Sequence, residues 1–155
     1  MLAQAEHVVL AFDVLCAHLG LTVTQVSRLS VKETAACPLF VTWNKGPKLR
    51  GCIGTLHCNG QLKTLHAALT DYSLTAALRD RRFSPIVAAE LPHLCCTVSL
   101  LSSFELAATW DDWDVGTHGL IIEFSDPTGS QRTATFLPEI CVHEQWDKKQ
   151  VTLLT

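Results

Sequence analysis

The sequence lacks an apolar run of the length that a membrane span requires. The longest candidate, Leu91 to Leu101, is interrupted by Pro92 and His93 and is far shorter than the roughly 20 residues needed to cross a bilayer. The first ten residues carry Glu6 and His7 where a secretion signal needs a cationic and then an apolar segment. These absences predict a protein that stays inside the cell and makes no membrane contact.

Charged residues are scarce, and neither sign predominates. They make up 17% of the 155 residues, the formal net charge is −3 and the isoelectric point is about 6.1. Domains that bind nucleic acids usually carry a strongly basic face. The basic cluster Arg79, Arg81 and Arg82 is explained more simply as a solvated helix end, where cations favour the negative pole of the helix dipole. Nucleic-acid binding is therefore the least favoured function.

Several short motifs with known chemistry are also missing. There is no Gly-x-x-x-x-Gly-Lys phosphate loop, no dinucleotide fingerprint and no Gly-x-Ser-x-Gly elbow. Asp112 to Asp114 resembles the start of a calcium loop, but Gly116 stands in place of the third oxygen ligand and Thr117 in place of the turn glycine. The cysteines and histidines are too irregularly spaced for a structural zinc site. The sequence therefore predicts no metal and no cofactor.

The cysteines do not form a disulfide framework. Their number, seven, is odd, and their spacing is irregular. We therefore expect free thiols in a reducing compartment. Cys95 and Cys96 are adjacent in a segment rich in strand-forming residues, so we expect their side chains to face opposite sides, with at least one in the core.

What the sequence does contain is enough apolar material for one folded domain. Apolar residues make up 48% of the chain, and there are no internal repeats, low-complexity tracts or obvious linkers. Residues 1–155 are therefore predicted to form a single domain. Three segments show helical spacing or helix-start chemistry: Ala5 to Leu19, Gln61 to Leu78, and a final helix from Pro138 towards Trp146. Between the first two helices, Leu21 to Cys37 has no clear period and is predicted to be mostly loop.

Strand-forming residues fill the middle of the chain. The predicted strands are Leu39 to Trp43, Leu49 to Thr55, Leu94 to Leu101, Gly119 to Phe124 and Arg132 to Leu137. Two pairs of them are joined by turn-forming residues and indicate hairpins. The sequence therefore predicts an α+β fold with a mostly antiparallel sheet and helices packed on it.

The segment around Cys52 is the best candidate site. In a regular strand Arg50, Cys52 and Gly54 share one face, while Leu49 and Ile53 share the other. An adjacent cation favours the thiolate, so Arg50 is predicted to activate the Cys52 thiol. Glycines at 51 and 54 weaken a strand and often mark a bulge, or a place where a ligand or another backbone comes close. The simpler alternative is that Cys52 is an inert thiol in the core.

A set of motifs along the chain resembles the AMMECR family. The central one is Leu49-Arg50-Gly51-Cys52-Ile53-Gly54, the hallmark block of that family. The others occur in the family's order: Pro38 to Trp43, Asp80 to Ile86, Glu90 to Pro92, Thr97 to Leu101, Asp112-Trp113, His118 to Leu120, Ile122 to Phe124, Arg132 to Glu139, and Glu144 to Asp147. The resemblance covers about Val8 to Leu154.

The resemblance implies a fold and indicates which proteins family members are associated with, but it implies no activity. It implies an intracellular α+β protein with a larger and a smaller subdomain around a cleft near the hallmark block. No activity is established for the family, whose prokaryotic members occur beside Memo-type domains and near radical-SAM proteins and whose animal members are associated with the nucleus. This sequence departs from the pattern at Arg81, where relatives carry a small residue. It also stops at Thr155, where relatives continue with a basic, glycine-containing tail that we expect to be missing here.

The leading hypothesis is a cleft that presents Cys52 for ligand binding or thiol-based group transfer. In this hypothesis Arg50 is an electrostatic partner or anion clamp, and Gly51 and Gly54 admit the ligand. The family motifs place four more residues around the site: Asp80 and Arg82 as ligand contacts, and His118 and Glu139 as proton-transfer groups. The alternative is a non-catalytic adaptor that docks a protein partner, such as a Memo-type protein, while the cysteine only packs.

Overall fold

A computed structural model of the chain describes residues 3–22, 35–57 and 62–153. They form two compact units, a first unit of Met1–Phe104 and a second unit of Glu105–Thr155, and each is described by itself below. Within the described ranges no helix is long and apolar enough to cross a membrane. Most of the predicted loop Leu21 to Cys37, residues 23–34, lies outside the described residues.

The first helix, α1, spans Ala5–His18 and confirms the amphipathic helix predicted from the apolar spacing. It buries Leu10, Ala11 and Leu15 on one face. At its start the backbone N–H of Gln4 donates to Nδ1 of His7 over 3.0 Å, which satisfies one of the donors that a helix start leaves open. The chain leaves the helix through Gly20, whose φ of +78° suits a residue without a Cβ.

The sheet of the first unit has three antiparallel strands in the order β2-β1-β3. Strands β1 (Leu39–Lys45) and β2 (Lys48–Thr55) form the predicted hairpin, and β3 (Leu94–Leu100) pairs with the other side of β1. Strand β2 is therefore an edge strand. The antiparallel pairing and the helices beside it confirm the α+β fold class.

The core of the first unit lies between this sheet and the helices. Alternate residues of β1, namely Leu39, Val41 and Trp43, are completely buried on the inner face of the sheet. The ring of Phe12 in α1 packs edge-on against Trp43 with centroids 4.9 Å apart, and the indole Nε1 donates to the backbone oxygen of Ser73 over 3.1 Å. One aromatic side chain thus joins α1, β1 and the second helix.

That second helix, α2, spans Leu65–Leu78, so it begins four residues later than the predicted start at Gln61, which lies outside the described residues. The cap explains the start, because extended Thr64 accepts a hydrogen bond from the N–H of Ala67 through its hydroxyl. After α2 the chain turns and forms a 3₁₀ helix, Ala88–His93, that leads directly into β3. The sequence did not predict this short element, since three-residue periodicity over six residues is a weak signal.

The second unit has its own two-stranded antiparallel sheet. Strands β4 (Leu120–Ser125) and β5 (Gln131–Phe136) confirm the predicted hairpin, with each boundary within one residue. A small core of Trp113, Cys141 and Val151 packs beside it.

The helix predicted to start at Pro138, with Glu139 in its first turn, is confirmed at its start, but the prediction that it is the final helix and runs towards Trp146 is wrong. The chain forms α3 (Pro138–His143) and α4 (Lys148–Leu153) instead. Between them Gln145 takes a φ of +58°, and the N–H groups of Gln145 and Trp146 bond back to the carbonyls of Val142 and Cys141. This is the Schellman ending of a helix, which usually has a glycine at the left-handed position. Because glutamine occupies that position here, the residue type does not indicate that the helix stops.

Candidate functional site

Cys52 lies on the face of the sheet opposite to the core of the first unit. Its cross-strand partner is Thr42, which in turn pairs with Thr97 on β3. Neighbours in such a row share one face, and the residues flanking Thr42 on β1 are buried on the other. Cys52 is half-buried, Thr97 is exposed, and the hydroxyl of Thr42 donates to Sγ of Cys52 over 3.1 Å. The thiol therefore has a fixed hydrogen-bond donor.

The backbone of Cys52 is held from outside the sheet. Its N–H donates to Oδ2 of Asp80 over 2.9 Å, and its carbonyl accepts from Nη2 of Arg82 over 3.1 Å. The carboxylate thus takes the place of the C=O acceptor, and the guanidinium that of the N–H donor, which a neighbouring strand would supply. Side-chain groups at an edge strand also block pairing with another chain.

Asp80 and Arg82 form a tight ion pair in this position. Nε and Nη2 of Arg82 donate to the two carboxylate oxygens over 2.9 and 2.7 Å, and the backbone N–H of Arg82 adds a third bond. These bonds, above all those from the guanidinium, hold the pKa of Asp80 well below its usual range, and the N–H of Cys52 acts in the same direction. The carboxylate is buried and ionised.

Arg50 makes a different set of contacts from those predicted. Its Nε and Nη2 donate to both oxygens of Glu90 over 3.0 and 2.9 Å, and Nη2 also donates to the carbonyl of Ser84 over 3.1 Å. The bonds from Arg50 are the main cause that lowers the pKa of Glu90 to about 2. The guanidinium that hydrogen-bonds to Cys52 is that of Arg82, so the predicted partnership of Arg50 with the thiol is not supported by its contacts.

A β-bulge explains this difference. Trp43 pairs with Gly51 and Asn44 pairs with Leu49, so Arg50 is an extra residue without a partner on β1. The bulge breaks the two-residue alternation from which the faces were predicted. Leu49 consequently shares the outer face with Asn44 and is 36% exposed. Ile53, beyond the bulge, packs against the core.

Both glycines of the hallmark block have a packing explanation. A Cβ at Gly51 would overlap the carbonyl of Ala76, because α2 approaches the sheet at this point. A Cβ at Gly54 would overlap the carbonyl of Leu39 and the ring of Phe40. The interpretation that these glycines admit a ligand is therefore replaced by one in which they admit a helix backbone and a cross-strand aromatic ring.

The two predicted proton-transfer residues belong to the second unit. Nδ1 of His118 accepts a hydrogen bond from the N–H of Asp114 over 2.9 Å, which fixes the ring within its own loop. Glu139 is exposed in the first turn of α3. Their role beside Cys52 stays a prediction.

The other described cysteines differ from Cys52 in their surroundings. All six described cysteines are free thiols. On β3, Cys95 is exposed while burial raises the pKa of Cys96 to about 12, which confirms that the adjacent pair faces opposite sides. Burial also raises the pKa of Cys141 in the second unit. Within the described ranges, no group of three His, Cys, Asp or Glu side chains could hold a metal ion.

Two residues of the site were missed in the sequence. Thr42 could have been found from the hairpin register, since it lies directly across from Cys52. Glu90 belongs to the family motif Glu90 to Pro92, but nothing in the sequence pairs it with Arg50, which lies 40 positions away in the chain.

Comparison with known proteins covers nearly the whole chain. A family model described as AMMECR1 matches residues 8–154. An uncharacterised protein of Arabidopsis thaliana is 49% identical over 152 residues, and the match covers 94% of this chain and 68% of that protein. An uncharacterised protein of Kluyveromyces lactis is 40% identical over 132 residues, with 76% of this chain and 56% of that protein covered. The chain thus spans between about half and two thirds of the length of these relatives.

A solved structure has the same fold. The crystal structure of an uncharacterised protein from Pyrococcus horikoshii matches with a TM-score of 0.69 and 25% sequence identity. The match covers 92% of this chain and 72% of the archaeal chain.

Proposed function

The chain belongs to the AMMECR1 family, and we propose that its first unit carries a ligand-binding or thiol-reaction site at Cys52. The relatives named above are uncharacterised proteins, so the proposal rests on the geometry of the site. A small molecule or a peptide is the expected ligand, and an intracellular location, cytoplasmic or nuclear, is part of the proposal.

One observation carries the proposal: Cys52 is held at its N–H, its carbonyl and its sulfur by three different side chains. Asp80 and Arg82 fix the backbone, and Thr42 donates to the sulfur. A thiol that only fills space in a core needs none of these contacts. Sites that bind or react hold their key group in one geometry through supporting hydrogen bonds.

In the reactive form of the proposal, Cys52 acts as a nucleophile. The thiolate attacks an electrophilic carbon of the substrate and forms a carbon–sulfur bond, and the leaving group departs with its bonding electron pair. The proton of the thiol passes to a general base, the role that the family motifs predict for His118 and Glu139. Arg82, whose guanidinium bonds to the carbonyl of Cys52, takes the electrostatic role first assigned to Arg50.

Alkylation of the folded protein tests this proposal. Each cysteine is labelled with iodoacetamide at pH 7, and the rates are read by mass spectrometry. We expect half-buried Cys52 to react at least as fast as exposed Cys95, and Cys96 to be protected. A Cys52 that reacts as slowly as Cys96 would remove the reactive thiol from the proposal.

The second candidate function is that of an adaptor, and exposed apolar side chains in the second unit favour it. Leu106 is fully exposed, Trp110 is 57% exposed and Val142 is 56% exposed. Large exposed apolar side chains are typical of protein-docking surfaces.

The adaptor function is tested by binding to a purified Memo-type protein. If the domain is an adaptor, binding persists in Cys52→Ser and is lost in Trp110→Ala or Val142→Asp. If Cys52→Ser alone abolishes binding, the thiol site and not the apolar surface carries the interaction.

A further inference from the structure

The two arginines at the edge of β2 are held in the same way. Arg82 gives Nε and Nη2 to Asp80, and its Nη2 also bonds to the carbonyl of Cys52. Arg50 gives Nε and Nη2 to Glu90, and its Nη2 also bonds to the carbonyl of Ser84. A guanidinium has five N–H donors, so each arginine keeps the two donors on Nη1. Within the described ranges no hydrogen bond involves either Nη1 atom.

The two arginines differ in accessibility. The side chain of Arg82 is 57% exposed, whereas that of Arg50 is 13% exposed. The side chain of Asp80 is only 4% exposed. The guanidinium of Arg82 is therefore held by a buried carboxylate, while much of the arginine side chain is accessible to solvent. Its Nη1 donors are therefore fixed in direction and available, in the geometry that suits a carboxylate or phosphate oxygen.

The surroundings add positive charge to this side of the first unit. Arg79 and Arg81 are exposed in the same turn, so the four residues 79–82 carry three arginines and one aspartate. The whole chain has a net charge of −3, which makes this turn a local exception. Fixed cations at one place raise the local concentration of small anions.

We infer that the ligand of the Cys52 site carries an anionic oxygen group, a carboxylate or a phosphate, that binds to Nη1 of Arg82. Asp80 is the positioning residue that holds the guanidinium in place for it. The inference rests on the proposed function, because it assigns a substrate class to the same site. Arg82 thereby takes the anion-binding role that the sequence had suggested for Arg50.

Two alkylating reagents that differ by one charge test the inference. Iodoacetate and iodoacetamide transfer similar groups to a thiol, but only iodoacetate is an anion. The ratio of their rates at Cys52 is divided by the same ratio at exposed Cys95 in the same sample. We expect this normalised preference for the anion to be about threefold or more at low salt, the size of a favourable exposed ion pair. It should fall towards one at about 1 M salt, where charges are screened beyond about 3 Å.

Variants assign the effect to one side chain. Arg82→Gln is expected to abolish the preference. Arg132→Gln is the matched control, since Arg132 is an exposed arginine of the second unit that is also paired with an aspartate, Asp126. Arg132→Gln should leave the preference unchanged. If Arg82→Gln does not fold, Arg82→Lys takes its place. Lysine keeps the positive charge but lacks the planar guanidinium with its fixed N–H directions, so the preference for the anion should be reduced.

The outcomes separate this inference from the proposed function. A Cys52 that reacts readily with iodoacetamide but shows no preference for iodoacetate overturns the inference and leaves the thiol site standing. If Cys52 reacts with neither reagent, the thiol reaction fails, and inorganic phosphate becomes the probe. Backbone NMR signals of Cys52 and Arg82 should then shift with phosphate relative to chloride at equal ionic strength, and this response should vanish in Arg82→Gln. Signals that do not respond overturn the inference.

Discussion

At the scale of single residues, the site contains carboxylates that stabilise the fold only while they are ionised. Glu90 accepts hydrogen bonds from both Arg50 and Lys45, and its side chain is 14% exposed. Asp80 has the corresponding place beside Cys52 and Arg82. A carboxylate bound in this way stabilises the fold by the difference between its pKa in the folded and unfolded chains.

This linkage predicts how stability depends on pH. The pKa of Glu90 is lowered from 4.5 to about 2, mainly by its hydrogen bonds with Arg50. A lowered pKa means that the stabilisation is complete above the unfolded value and is lost as pH falls through the folded value. We expect Glu90→Gln to lower the free energy of unfolding by about 1–2 kcal/mol at pH 7. The difference from the unchanged protein should shrink between pH 4.5 and about 2.

Urea unfolding at a series of pH values measures this difference. Glu139→Gln, at an exposed position of α3, is the control and should change stability much less at pH 7. If the effect of Glu90→Gln is the same at pH 7 and pH 2.5, the ion pair with Arg50 does not contribute to stability.

Residue by residue, the sequence predicted the strand that carries Cys52 better than the contacts of its side chain. Strand alternation placed Cys52 on the face opposite to Ile53, and the structure has the two residues on opposite faces. The sequence did not identify the side chains that contact Cys52, because one extra residue at the bulge changes which side chains meet. Periodicity alone does not reveal a bulge, and the two glycines in the block had packing causes that depend on α2 and Phe40.

At the scale of elements, the close approach of α2 to β2 is the contact on which the site depends. The two elements meet where Gly51 leaves room for the carbonyl of Ala76. α2 also ends at Leu78, two residues before Asp80, so its position sets that of the carboxylate. A change in the spacing between α2 and β2 is therefore expected to move the group that holds the backbone of Cys52.

Gly51→Ala tests this dependence. The added methyl group collides with a helix backbone that cannot rotate away, so we expect a loss of about 1–3 kcal/mol in the free energy of unfolding. In the same variant the alkylation rate of Cys52 should change, since α2 must move and Asp80 follows it. Gly46→Ala is the control, because nothing lies within 4 Å of a Cβ there and only its φ of +56° is unfavourable. A Gly51→Ala protein that keeps both stability and Cys52 reactivity would disprove the coupling.

The same scale shows why some boundaries could be predicted and others could not. α1 ends before a glycine, and the sequence placed that end within one residue. α3 ends at a left-handed glutamine, and the sequence missed the break entirely. Stop signals in a sequence depend on residue type, whereas the structure requires only that Gln145 accept the backbone angle that tertiary packing imposes.

At the scale of the whole molecule, the two units differ in how much structure supports them. The core of the first unit draws on two helices and a three-stranded sheet, and β1 is hydrogen-bonded on both sides. The second unit buries Trp113, Cys141 and Val151 in its core cluster and has a two-stranded sheet. An isolated hairpin is marginal in water, and its stability depends on what packs against it.

The difference predicts that the second unit opens before the first. Local opening follows the amount of buried apolar contact, so backbone amides of β4 and β5 should exchange with solvent at least about tenfold faster than those of β1. Hydrogen exchange read by mass spectrometry measures both in one sample. Alkylation in mild urea gives a second measurement, because buried Cys141 and half-buried Cys96 lie in different units and burial raises the pKa of both thiols, and Cys141 should be labelled first. Equal exchange and simultaneous labelling would mean that the two units unfold as one, and then the stability of the Cys52 site would depend on the second unit as well.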